Sequence, residues 1–351
     1  MSPRALVLGA TGHIGAHVVR ALLADGHPVR AAYHNPRFLS VLEGLPIERV
    51  QVDLERDEEL SRALEGYEWV FDAAGYYPRI QERRAHAIER GIASVNRLMR
   101  SLLHTRPSRV VFTSSAATIR QVPGRLANET DAEPWSPRHG GATLPRQRGW
   151  FRLGRPQDQW RPLYATVKIA MEHEALRFVS EGLPIVVVNP SLCVGEYDAH
   201  RFSGRAVLAF AKYRLPCYLD YVFNAVYTGD VGVGHVRAAE QGRIGERYLL
   251  SCQQVRVRDF ARLVATIAGV SPPRWESPRL VAHVLAWGSE LVAGMTRREP
   301  WLPRQVVHLS RTGQRLDNAK ALRELHLPQT PIDEAIRRAI GWFRQEGILA
   351  I

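Results

Sequence analysis

The chain has 351 residues, with 47 Lys and Arg against 35 Asp and Glu, for a formal net charge of +12. An apolar fraction of 45% and a charged fraction of 23% exclude disordered, collagen-like and disulfide-scaffold chains. The length allows one large domain or two smaller ones. Cys193, Cys217 and Cys252 are widely spaced and form no CxxC pair, so a reducing cytoplasm fits them and no metal site is expected. No run of roughly 18 uncharged apolar residues occurs, which argues against a transmembrane span. The apolar N-terminus breaks into a turn at Gly9, unlike a signal peptide. The excess charge suits nucleic acid, anionic lipid or an acidic small molecule, and charge alone does not choose among them.

Short apolar runs alternate with helical patterns through the first half. Ala5–Leu8 is a strand and His13–Ala24 a helix; Val29–Tyr33 and 50–52 are strands, followed by the charged helix Asp57–Leu64. Strands at 69–73 and Arg109–Thr113 flank a helix of roughly twenty residues ending near Leu103. After an irregular stretch at 121–162, a helix over 164–180 and a strand over 184–188 resume the rhythm. A last strand at 246–250 returns to the sheet, and helices cover 257–267, 279–295, 318–324 and 332–346. The helix at 279–295 has an amphipathic pattern. Continuous apolar strands alternating with helices predict an α/β protein with a doubly wound parallel sheet of the Rossmann type. The sheet domain takes in 1–190 and 225–251, with an insertion at 121–162. A smaller α/β substrate lobe takes in 191–224 and 252–351.

Gly9-Ala10-Thr11-Gly12-His13-Ile14-Gly15 follows the first strand and opens the first helix. Gly9 permits a tight turn, Gly12 lets backbone approach a pyrophosphate, and Gly15 lets the helix pack closely on the sheet. The second strand ends at His34, where a carboxylate would serve a ribose hydroxyl; His34 and Arg37 suit a 2′-phosphate instead. NADP(H) is therefore favoured and NAD(H) stays open. Asp53-Leu54 meets the adenine side, and Ala73-Ala74-Gly75 keeps the fourth strand's end small where cofactor passes.

Tyr164 and Lys168 stand one helical turn apart and share a face. A neighbouring ammonium favours the phenolate, which makes Tyr164 an acid/base for an alcohol or ketone. Lys168 also suits a cofactor ribose. Thr113-Ser114-Ser115 ends the fifth strand, at the sheet edge where ligands bind, so a hydroxyl there can hold a substrate oxygen.

With these motifs, the chain resembles the extended short-chain dehydrogenases/reductases of the NAD-dependent epimerase/dehydratase superfamily. The resemblance spans nearly the whole chain: GATGHIG from Gly9, VDL from Val52, AAG from Ala73, VVFTSSAAT from Val110, YATVK from Tyr164, GLPIVVVNPSLCVG from Gly182, GD at Gly229 and GERYLLS from Gly245. Its tail from Asp317 is similar to dihydroflavonol-4-reductase-like and hopanoid-associated sugar epimerase-like proteins. The resemblance implies Ser115 as the oxygen-positioning hydroxyl, Tyr164 as acid/base and Lys168 as its electrostatic partner. It also implies that Thr113, Pro190 and Ser191 border the cofactor. Homodimerisation through the Tyr164 helix and the helix containing Asn96 is implied as well.

Three departures stand out. His34 replaces a frequent Arg, Asp72 replaces a neutral residue, and the 121–162 connection is longer and more basic than usual. Ala116-Ala117 replaces the Asp-Glu pair of dehydratases, which argues against elimination. Phe202, Phe210, Tyr213, Tyr218, Tyr221 and Phe223 offer an aromatic lining, with half of them expected in the core. The expected function is hydride transfer between NADP(H) and a ketone or secondary alcohol of a fairly hydrophobic small molecule. The alternatives are a sugar-nucleotide epimerase, with Arg201, Arg205 and Arg214 as diphosphate anchors, and a non-catalytic NADP-sensing regulator. Arg125, Arg138, Arg146, Arg148, Arg152 and Arg155, interleaved with Trp135, Trp150 and Trp160, fit a solvated loop, a substrate lid or a peripheral membrane contact. No nucleic-acid partner is expected.

Overall fold

The computed structural model describes residues 2–78, 82–135, 162–212, 214–296, 302 and 304–349. The first half runs β1 (Ala5–Leu8), α1 (His13–Ala24), β2 (Val29–Tyr33), β3 (Glu48–Gln51), α2 (Asp57–Leu64), β4 (Trp69–Asp72), α3 (Arg84–Thr105) and β5 (Arg109–Thr113). Then come α4 (Leu163–Arg177), β6 (Ile185–Pro190), β7 (Leu192–Val194), α5 (Arg205–Ala211), β8 (Cys217–Tyr218), β9 (Val222–Tyr227), α6 (Thr228–Gln241) and β10 (Arg247–Leu250). The chain continues through β11 (Gln253–Arg256), α7 (Val257–Ala268), β12 (Trp275–Glu276), α8 (Arg279–Thr296), α9 (Arg304–Thr312), α10 (Ala319–Leu325) and α11 (Ile332–Gln345).

Seven parallel strands form the central sheet in the order β10-β6-β5-β4-β1-β2-β3. Alternate residues feed two cores. Val7, Phe71, Val111 and Val186 enter the core on the α1 and α6 side, whereas Leu8, Val70, Val110 and Ile185 enter the one under α3 and α4. Burial on both faces explains why β1, β4 and β6 are almost wholly apolar, whereas the edge strand β3 (Glu48–Gln51) is largely exposed and polar. The helices α3 and α4 pack face to face, and a Cβ on Gly91 would come within 2.9 Å of Val167.

Sequence periodicity missed α6, because Gly229, Gly232 and Gly234 lower its helix propensity. Their small size serves packing: a Cβ on Gly232 would lie 2.7 Å from the backbone of His17 on α1. Beyond the main sheet, β9 pairs parallel with β7 and antiparallel with β11, while β8 pairs with β12.

Candidate active site

The chain leaves β1 toward β2 on one side, while β4 flanks β1 on the other. That reversal opens a crevice beyond the carboxyl ends of the strands. The glycine turn lies there. Gly9 has φ +73°, and a Cβ on it would come within 2.8 Å of Ala74 Cα, so the turn lies directly on the end of β4. A Cβ on Gly15 would come within 2.2 Å of the Gly9 carbonyl oxygen. The helix α1 follows the N-cap Gly12 with no side-chain cap, so no side chain occupies its first-turn amides, which suit an anion.

The side chains around this turn divide by role. Thr11 is buried, Ile14 packs on the core, and Leu54 packs on the opposite core. The His13 ring is held by Ser203 and by Thr228 at the start of α6: Nδ1 lies 3.0 Å from Ser203 Oγ and Nε2 2.8 Å from Thr228 Oγ1. Only the His13 backbone is left for a phosphate. His34 and Arg37 are both exposed past β2. His34 lines a cavity of about 670 Å³ with Asp53, Arg56 and Arg62. The Asp53 carboxylate accepts from its own turn, at Glu55 N (2.9 Å).

The catalytic candidates meet at the C-terminal ends of β4, β5 and β6. Contrary to the phenolate expected from the Lys168 ammonium, burial pushes the Tyr164 phenol up to about 12, with a hydrogen bond from the Ser115 hydroxyl pulling the other way. Ser115 also accepts from Ala117 N at 3.2 Å, which fixes its side chain. Lys168 is buried, and desolvation brings its ammonium down to about 8 against the opposing pull of Asp72 and Glu172. Asp72 is itself buried; its carboxyl is shifted upward by desolvation and accepts from Ala74 N at 3.1 Å. A Cβ on Gly75 would sit 2.6 Å from Lys168 Nζ, so the AAG segment and the lysine share one small space.

Some residues depart from expectation. The Thr113 hydroxyl points into the core, 3.0 Å from His235 Nε2, leaving only its backbone toward the crevice. Of the aromatic residues expected as lining, Phe202 reaches Tyr164, with ring centroids 6.4 Å apart. Phe210 and Phe223 are core, Tyr218 and Tyr221 pack against that core, and Tyr213 lies outside the described residues. Arg125 is exposed and pairs with Asp131 at 2.5 Å, and Trp135 packs on the core. The remaining arginines and tryptophans of the basic insertion lie outside the described residues.

Two residues were not anticipated. Tyr77 stacks on Tyr164 at 5.7 Å and 17°, and its ring lies 4.7 Å from Lys168 Nζ. Its position two residues after the AAG segment was the available signal. Glu172 is buried on α4, where its carboxylate accepts from Ser114, from Thr118 at 3.0 Å and from Arg247 at 2.5 Å. Its spacing, one turn past Lys168, puts it on the catalytic face.

The residues present fit a dinucleotide. The Gly9–Ala74 cradle admits only hydrogen at Cα, α1 presents an uncapped N-terminus, and Ser191 Oγ at the end of β6 is buried without a hydrogen-bond partner. Among the described residues, no group of three or more His, Cys, Asp or Glu is arranged for a metal ion, and no helix is long and apolar enough to cross a membrane.

A family model described as the NAD dependent epimerase/dehydratase family matches residues 5–140. Tetraketide alpha-pyrone reductase 2 of Arabidopsis thaliana is 31% identical, over 70% of this chain and 77% of that protein. The chain belongs to the NAD-dependent epimerase/dehydratase family. Sterol demethylase protein B of Methylococcus capsulatus is 29% identical over 98% of this chain and 99% of that protein. The crystal structure of a nucleoside-diphosphate-sugar epimerase from Pseudomonas aeruginosa superposes with a TM-score of 0.74 at 25% identity, covering 99% of this chain and 100% of that one. Dihydroflavonol 4-reductases are relatives too. Within this epimerase/dehydratase family, the reductase-named relatives support an NAD(P)-dependent oxidoreductase with a small-molecule substrate.

Proposed function

We propose that this chain interconverts a ketone and a secondary alcohol on a fairly hydrophobic small molecule, using NADP(H). The observation that carries the reading is the Tyr164 phenol: it is hydrogen-bonded by Ser115, stands one helical turn before buried Lys168, with Tyr77 against both, and is roofed by Tyr77 and Phe202. With its phenol held up to about 12, Tyr164 is protonated at neutral pH, the state needed to give a proton to a nascent alkoxide. Ser115 holds the carbonyl oxygen in line for that transfer. Lys168 offsets the phenolate charge left behind. The aromatic roof favours an apolar substrate over a sugar diphosphate. Ala116 and Ala117 offer no acid or base for elimination.

The glycine turn from Gly9 to Gly15, Ala73 to Gly75, Pro190 and Ser191 would hold the dinucleotide. His34 and Arg37, both exposed, would meet a 2′-phosphate. The nicotinamide, when bound, supplies or accepts the hydride.

A panel of ketones, aldehydes and sugar nucleotides screened by nicotinamide absorbance tests this reading. Apolar ketones should consume NADPH, and Tyr164→Phe should lower turnover by about a hundredfold or more. Arg37→Ala should weaken NADPH binding and spare NADH. Near wild-type turnover by Tyr164→Phe would remove Tyr164 from its role. Interconversion of a sugar nucleotide by copurified cofactor, without net NADPH consumption, would make the chain an epimerase.

A further inference from the structure

The amphipathic pattern of α8 is present, and the structure turns its large apolar side chains outward. Of its 18 residues, those buried are small: Ala282 and Ala286, which pack with Val307 of α9 and Leu219, together with Ser289 and Ala293. The large apolar side chains face away from the protein. Leu280 is 76% exposed, Trp287 60% and Met295 80%, with Val284 and Leu291 between them. Spacings of four, three, four and four residues align these five along one stripe. Trp275, in the strand preceding the helix, is also exposed. Globular proteins seldom leave so continuous an apolar surface without a use.

We infer that this face of α8 docks on the surface of an anionic lipid bilayer. The charges favour that occupant. The ionic residues of α8 are Arg279 and Glu290, and Glu290 is held by Arg304 at 2.5 Å, leaving the stripe without a free carboxylate. Arg274 and Arg279 are exposed where the helix begins, and Glu276 between them interacts with Arg256. The chain carries +12 overall, which attracts anionic headgroups and repels a second copy of itself. Trp275 and Trp287 suit the headgroup level, where an apolar ring and an N–H donor are both satisfied. A helix this long spans about 27 Å along its axis and would lie in the interface plane. Consistent with that orientation, no described helix qualifies as a membrane span.

The test is co-sedimentation of the full chain with phosphatidylcholine vesicles, with and without phosphatidylglycerol. Wild type should bind the phosphatidylglycerol vesicles more tightly, and salt should weaken that binding. The triple variant Leu280→Gln, Trp287→Gln, Leu291→Gln should bind at least about tenfold more weakly, from lost apolar burial. Because those side chains are exposed, circular dichroism should be unchanged. A second variant, Arg274→Gln with Arg279→Gln, should lose only the preference for anionic vesicles, by several-fold. Wild type that ignores both vesicle types, or a triple variant that binds them like wild type, would overturn the inference. So would a wild-type dimer that the triple variant dissociates while neither form binds lipid.

Discussion

Asn189, one residue before the end of β6, donates a 2.7 Å hydrogen bond to the buried carboxylate of Glu172 on α4. The same carboxylate receives Ser114, Thr118 and Arg247, so β5, β6 and β10 converge on the helix that carries Tyr164 and Lys168. All four partners are donors. Removing the acceptor strands the Ser114 hydroxyl and leaves Arg247 without its counter-charge, while Asn189 and Thr118 keep only their bonds to each other and to the Ser115 carbonyl. Glu172→Ala should therefore destabilise the protein by about 3 kcal/mol, measured by urea unfolding. Glu172→Gln should cost less, because its carbonyl still accepts while its NH2 faces other donors. If Glu172 positions the catalytic helix, the Gln variant should lower kcat by about tenfold with KM less affected. Unchanged kcat in a folded Gln variant would confine Glu172 to stability.

Lys168 makes a prediction about pH. Its ammonium falls from 10.5 in the free side chain to about 8 in the folded protein because burial penalises the charge. Between these values the unfolded chain holds a proton that the folded chain lacks, so this residue makes stability rise with pH. Below pH 8 the full cost is present, about 3 kcal/mol for a shift of that size. Lys168→Met should be more stable than wild type at pH 7, and the gap should close toward pH 10. Cys193, shifted upward to about 12, opposes the trend at high pH but is common to both proteins. Guanidinium unfolding of the pair at pH 7 and 9.5 checks this; a gap independent of pH would show that Lys168 does not titrate in that window.

The parts of the site legible in sequence are those that backbone geometry imposes. A turn whose Gly9 meets Ala74 at 2.8 Å, and a helix start whose Gly15 meets Gly9, tolerate no other residue, and that demand is visible as spacing. Tyr164 and Lys168 are legible for a similar reason, since one helical turn fixes their separation. What stayed hidden depends on partners distant in sequence. Glu172 lies 75 positions from Arg247 and 58 from Ser114, and its spacing from Lys168 marks its face but not the buried donors that meet it. The orientation of α8 is the same kind of case. Its period announces an amphipathic helix, but which stripe meets α9 depends on the small residues that allow close approach. The glycines of α6 misled in the opposite sense, lowering local propensity where tertiary packing required them.

Thr113 belongs to the hidden part as well, and its partner gives a sharp test. His235 Nδ1 lies 2.7 Å from the Val231 carbonyl, which can only accept, so the proton sits on Nδ1. Nε2 then accepts from the Thr113 hydroxyl at 3.0 Å. Burial lowers this imidazole from 6.5 to about 4. In acid the unfolded chain binds a proton that folded His235 refuses, so stability should fall as the pH drops from 6.5 toward 4, by about 3 kcal/mol from this residue. Proton NMR of the His235 ring should show it neutral at pH 5.5, where exposed histidines are charged. Thr113→Val should cost about 1–3 kcal/mol by stranding the Nε2 acceptor, yet leave dinucleotide affinity within about twofold. A large loss of affinity in that variant, with stability preserved, would return the Thr113 hydroxyl to the cofactor site.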